Sequence, residues 1–184
     1  MLLCNARIKD KGYTLFELAI ILVILGVLLA IVAPSFIGMF NRNKVNDTLA
    51  QVRGALQEAQ REAIKKSKSC TVTINTTNKK MTGSPGGCLP IERDFCDERD
   101  ASGNCVRSAV AVMTNLTGAP PTLKFSFRGN TNKLGTIVVY SSDNSTNKMG
   151  CLVVSNGIGV MRTGYYDGSI ASTAAIDPDD CHHE

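Results

Sequence analysis

The side chains through which this chain could do chemistry are few. Glu17 is a lone carboxylate at the lip of an apolar run, where a charge is costly unless it is paired. Six cysteines follow that run: Cys70, Cys88, Cys96, Cys105, Cys151 and Cys181. They can oxidise in pairs, or they can ligate metal as thiolates. The chain ends Cys181-His182-His183-Glu184, which gathers three ligand types. Cys88, Cys96 and Cys105 lack the close pairing of zinc modules, and a chain end is a poor place for a fixed site. We therefore expect no metal, and no cofactor either. A Cys-x-x-Cys pair is absent, which argues against a thiol oxidoreductase. No nucleophile elbow, phosphate loop or dinucleotide fingerprint occurs, and the only two His are adjacent. The expectation is a protein that is not an enzyme.

What positions these groups follows from composition read by segment. The chain has 184 residues, 43% hydrophobic and 20% charged, with a net charge of +4. That apolar content can build a core, and the charge is too small to mark a nucleic-acid binder by itself. From Leu18 to Asn41 no residue is charged, and Leu18 to Ala33 is apolar throughout, Gly26 included. A helix of about 20 such residues spans the hydrocarbon core of a bilayer. A buried core helix would show a polar stripe, and this run has none. A secretory signal would be shorter and would end in a cleavable small-residue site, whereas Ala33-Pro34-Ser35 is a poor exit. An ordinary membrane anchor leaves Glu17 unexplained.

The string Lys11-Gly12-Tyr13-Thr14-Leu15-Phe16-Glu17-Leu18 resembles the processing site of type IV prepilins and pseudopilins. The resemblance implies a leader over residues 1–12, which includes Cys4. It implies cleavage by a prepilin peptidase between Gly12 and Tyr13, and N-methylation of Tyr13. Glu17 matches the family's acidic residue, and Pro34 matches the proline that kinks many pilin helices. Both are expected to serve assembly. A freed α-amino group is mostly protonated at neutral pH. In the apolar interior of a filament, the Glu17 carboxylate of one subunit would neutralise the Tyr13 ammonium of another, since an unpaired buried charge costs far more than a paired one.

Beyond Pro34 the pattern turns amphipathic. Val45, Leu49, Val52, Leu56, Ala59 and Ala63 fall on one helical face, which suits a helix laid across a sheet better than a coiled coil. The other face is basic: residues 42–68 carry seven Lys and Arg against three Asp and Glu, ending in Lys65-Lys66-Ser67-Lys68. Cations are favoured at a helix C-terminus, and a nucleic-acid or lipid patch is the sharper alternative. From Ser69 the pattern is β. Strands are expected at Cys70–Ile74, Ala109–Met113, Leu123–Phe127, Thr136–Tyr140 and Cys151–Val154. The Asn156-Gly157 pair predicts a tight hairpin into Ile158–Met161. Residues 78–108 read as a long decorated loop. The expected organisation is a leader (1–12), a hydrophobic transmembrane and assembly helix (13–40), its amphipathic second half (41–68) and a disulfide-containing β-rich head (69–184). This is an α+β class, a pilin-like fold with a long N-terminal helix packed on antiparallel sheet.

Six cysteines beyond the apolar run fit an oxidising compartment. They allow 15 pairings, among which the sequence does not choose. We favour Cys96–Cys105 within the loop, Cys70–Cys88 bracketing the first hairpin and Cys151–Cys181 tying down the tail.

The late segment Cys151–Arg162 is similar to that of GspH/FimT-type minor pilins, whose Gly-Arg-x-Arg element stands here as Gly159-Val160-Met161-Arg162 with the first Arg missing. The resemblance implies a minor pilin or pseudopilin: a single-pass protein of the bacterial inner membrane with its head in the periplasm, later lifted into a filament. Its partners would be prepilin peptidase, other pilins and an inner-membrane assembly platform. Two alternatives stay open. One is a DNA-binding minor pilin for natural transformation, using Arg162 with Lys124, Arg128 and Lys133. Against it, residues 136–184 hold two basic and six acidic side chains, and DNA affinity comes mainly from Lys and Arg on phosphate. The other is a type II secretion pseudopilin.

Overall fold

A computed structural model describes residues 12–131, 133–143 and 148–183, with the side chains of 31–37 excluded. Most of the expected leader, Cys4, the side chain of Pro34 and Glu184 lie outside the described residues. The chain forms two units, Met1–Ile37 and Gly38–Glu184. Helix α1, Leu15–Lys65, begins in the first and ends in the second.

In the first unit, the side chains from Tyr13 to Ala30 are exposed, Leu15 to 89%. Among the described residues they form an exposed, mostly apolar helix surface. Among the described residues no helix is long and apolar enough to cross a membrane. The uncharged run of the sequence continues into 31–37, whose side chains lie outside the description.

In the second unit α1 is amphipathic, as its spacing requires. Val45, Val52, Leu56, Ala59 and Ala63 are buried and Leu49 is partly so. Small residues on this stripe, Ala55, Ala59 and Ala63, let the sheets approach the helix closely. The helix stops at Ser67, whose φ is +50°. The amide of Lys68 donates to Ala63 O at 3.1 Å and that of Ser67 to Ile64 O at 3.1 Å. This pair of bonds satisfies the last carbonyls, a role usually given to a turn with glycine at the left-handed position.

Among the described residues eleven strands follow, all antiparallel to their neighbours: β1 Cys70–Asn75, β2 Lys80–Ser84, β3 Arg93–Asp94, β4 Glu98–Arg99, β5 Cys105–Arg107, β6 Val110–Thr114, β7 Thr122–Phe125, β8 Gly135–Ser141, β9 Met149–Val154, β10 Met161–Tyr166 and β11 Cys181–His182. One sheet has the order β3-β2-β1-β7, a second β11-β10-β9-β8-β6, and β4 pairs with β5 alone. Both larger sheets turn one face to α1. Val72, Ile74, Met81, Leu123 and Phe125 come from the first, and Val112, Ile137, Val139, Leu152 and Val154 from the second, to make one core with the helix stripe. The five-stranded sheet is buried on its other face too. There Val138, Cys151, Val153 and Tyr166 meet Ile176 and Cys181 of the C-terminal tail. This explains why β8 reads as a continuous apolar run rather than an alternating one.

Two expectations need correction. Residues 78–108 are not a featureless loop: they contain β2, β3, β4 and β5. These strands have two to five residues, and β2 (Lys-Met-Thr-Gly-Ser) offers only Met81 to the core, too little for a visible period. Nor is Asn156-Gly157 a two-residue hairpin. Met161 pairs with Val154, so six residues make the connection. Gly157 is captured instead by Thr131, with amide-to-carbonyl bonds of 2.8 and 3.0 Å in both directions. That bridge spreads the turn, and Ile158 and Val160 stay exposed.

Candidate functional site

The first candidate site is the start of α1. Thr14 Oγ1 accepts the amide of Glu17 at 3.2 Å, and Thr14 O accepts that of Leu18 at 3.1 Å. Thr14 is therefore the N-cap and Glu17 the third helical residue, the S/T-x-x-E spacing of a capping box. The helix dipole favours a carboxylate in this first turn. Gly12 and Tyr13 precede the cap as exposed chain outside any helix or strand. Sequence reasoning missed the cap of Thr14, although the spacing to Glu17 carries the signal.

The second group is the cysteines. The structure joins Cys70 to Cys88, Cys96 to Cys105 and Cys151 to Cys181, with Cα–Cα distances of 5.4, 5.7 and 5.9 Å. These bonds consume the thiols that a metal site would need. Among the described residues no His, Cys, Asp and Glu group could hold a metal ion. His182 instead sits 3.1 Å from Asp167 and against the Tyr165 ring.

The third group is basic, and the structure divides it. Lys124 and Arg128 line one open groove with Ser69, Phe127, Asn130 and Gly157. The Arg128 guanidinium lies 5.2 Å from the Phe127 ring centroid, a cation–π distance. The Lys133 ammonium is taken by Thr117 Oγ1 at 2.7 Å. Arg162 donates to Pro178 O, so it ties down the tail. The helix lysines are also engaged: Lys66 pairs with Glu62 at 3.0 Å and donates to Gly87 O at 2.6 Å. The hydrogen bond from Lys66 holds the Glu62 carboxyl below its usual range.

The segment 93–105 is an ionic clasp that sequence reasoning passed over. Arg93 reaches Glu58 of α1 at 2.8 Å, and Arg99 forks onto Asp94 at 2.6 and 3.0 Å. The hydrogen bond from Arg99 lowers the Asp94 pKa. Asp100 accepts the Asn104 and Ser102 amides, which lowers its pKa too. These groups position the Cys96–Cys105 loop against the helix.

Three comparisons extend these observations. Residues 7–33 match the family model described as the prokaryotic N-terminal methylation motif. Over 121 residues, 64% of this chain and 97% of the relative, the chain is 42% identical to the Type IV narrow pilus major component PilA5 of Thermus thermophilus. Among solved structures it is similar to the type IV minor pilin FimU of Pseudomonas aeruginosa (TM-score 0.49, 14% identity, 66% of this chain and 88% of that one). It is similar also to the minor pseudopilin EpsH of the type 2 secretion system of Vibrio cholerae (TM-score 0.49, 13% identity, 66% and 97%). Motif, identity and span together define the class, and the chain belongs to the type IV pilin-like family. It carries that family's N-terminal processing motif and an α+β head built on the second half of α1.

Proposed function

We propose that the chain is a non-catalytic building subunit of a type IV pilus. The observation that carries this reading is the 42% identity spanning 97% of a pilus component. A prepilin peptidase cuts between Gly12 and Tyr13, and the new Tyr13 amine is methylated. The uncharged segment then holds the protein in the inner membrane as a single pass, with the disulfide-bonded head in the periplasm. An assembly platform lifts it into a filament with other pilins. There the exposed apolar surface of the first unit is covered by neighbouring helices, Glu17 neutralises a Tyr13 ammonium, and Pro34 adjusts the helix. No cofactor enters this scheme.

A minor subunit, a major one and a secretion pseudopilin share these features. DNA capture by Arg162, Lys124, Arg128 and Lys133 is the weaker reading, because Arg162 and Lys133 are already engaged within the chain. The experiment is mass spectrometry of the protein from envelopes and from detached filaments. The expected result is an N-terminal N-methyl-Tyr13 in both, with the chain stoichiometric or sparse in pili. An intact Met1 in cells with active peptidase, or absence from every filament, overturns the reading.

A further inference from the structure

The Lys124–Arg128 groove and the C-terminal tail are opposite in charge. The groove includes Gly157, in the loop before β10, and Ser69, just beyond α1. The tail from 167 to 183 holds Asp167, Asp177, Asp179 and Asp180 and neither Lys nor Arg. Asp167 directly follows β10, and Asp180 directly precedes Cys181, which pairs with Tyr166 at the far end of that strand. Between Asp177 and Asp179, the Pro178 carbonyl accepts from Arg162 of the same strand. Among the described residues no carboxylate pairs with Lys124 or Arg128, and no cation with Asp177, Asp179 or Asp180. Two complementary patches that leave their charges unpaired within one molecule are suited to meet between copies.

We infer that the groove of one subunit receives the acidic tail of a second copy. Resting on the filament reading above, this names the head surfaces through which the filament would cohere. The contact is heterologous, one patch against a different one, so it propagates into an open helical array instead of closing on itself as a symmetric dimer would. Phe127, 52% exposed in the groove, supplies apolar surface that the contact covers. One such charged contact is weak in water; repeated along a filament already joined by its helices, it acts at high effective concentration.

The test is carbodiimide treatment of filaments detached from cells that make the full chain. The expected result is a ladder of covalent oligomers whose dimer band yields a peptide joining Lys124 to Asp177, Asp179 or Asp180. In R128E, which keeps the Lys124 amine, this link falls about tenfold, since juxtaposed like charges oppose the contact. Reversing both patches, K124E/R128E with D177K/D179K, restores a cross-link between the same two segments. Filaments containing the chain but lacking the link overturn the inference and leave the subunit reading intact. Absence of the chain from all filaments overturns both. Retardation of duplex DNA by the detergent-solubilised full chain through Lys124 and Arg128, with no link, assigns the groove to nucleic acid and overturns the inference.

Discussion

Arg162 on β10 donates through Nη2 to the carbonyl of Pro178 at 3.0 Å. The bond crosses from β10, next to the edge of the five-stranded sheet, to the tail that covers its outer face. Cys151–Cys181 and the buried Ile176 fasten the same tail. A residue expected to reach outward for DNA is thus turned inward as a strap.

Arg162→Ala is expected to lower stability by about 1.5–3 kcal/mol, the range for a hydrogen bond from a charged donor. Hydrogen exchange should quicken over residues 177–182 while α1 and β8 stay protected. Equal exchange in wild type and variant would show that the strap is idle.

The disulfides close loops of different length, with sequence separations of 18, 9 and 30. Chain entropy then ranks them: replacing Cys151 and Cys181 with Ser should cost about 3.5 kcal/mol, and replacing Cys96 and Cys105 about 2.5 kcal/mol. Urea unfolding of the two double variants measures the order. A reversed order would mean that the clasp around Asp94 and Arg99, not loop length, decides.

Thr14→Ala removes the N-cap and should cost the start of α1 about 1 kcal/mol, seen as faster exchange of the Glu17 amide. Glu17→Gln keeps the helix but leaves a Tyr13 ammonium without its counter-charge in an apolar filament. We expect N-terminal sequencing to show normal processing of this variant. Immunoblots of detached filaments should show it missing. Wild-type incorporation of Glu17→Gln would end the assembly role of that carboxylate.

Three carboxyls are held below their ordinary range: Glu62 by Lys66, Asp94 by Arg99, and Asp100 by the amides of its own loop. A depressed folded-state pKa stabilises above the unfolded value and is lost as pH falls through the folded one. Stability should therefore be level down to about pH 4.5 and then decline as these groups protonate. Arg99→Ala should flatten part of that decline in urea midpoints taken from pH 7 to 3. An unchanged slope would show that the Asp94 pairing contributes nothing.

The helix was legible because its signals are long. A run without charge, then Val45, Leu49, Val52, Leu56, Ala59 and Ala63 at helical spacing, leave little choice of element. The processing motif was legible because Gly12, Tyr13 and Glu17 keep a fixed spacing beside that run. Strands β1, β6, β7, β8 and β9 showed through β-branched or alternating residues. What failed to show is short or tertiary. The two-residue strands β3, β4 and β11 have no period of their own. The turn at Asn156-Gly157 was decided by Thr131, 26 positions earlier in the chain. The tail's hold on the sheet rests on isolated anchors, Ile170, Ile176 and Cys181, which no local pattern announces. The split of the basic residues was invisible for the same reason: Arg162 and Lys133 find partners 16 residues away.

The three covalent loops also govern how the head would answer a pull along the chain. Tension applied between Gly38 and the tail can straighten only residues outside the bridges, since each disulfide passes force directly from one cysteine to the other. Loops of 18, 9 and 30 residues together withhold roughly 200 Å of extended chain. The bridge that withholds most, Cys151–Cys181, joins the inner strand β9 to the chain's last strand. A head unfolded by load would thus lengthen far less than its residue count implies, and would keep its tail beside the sheet from which it could refold.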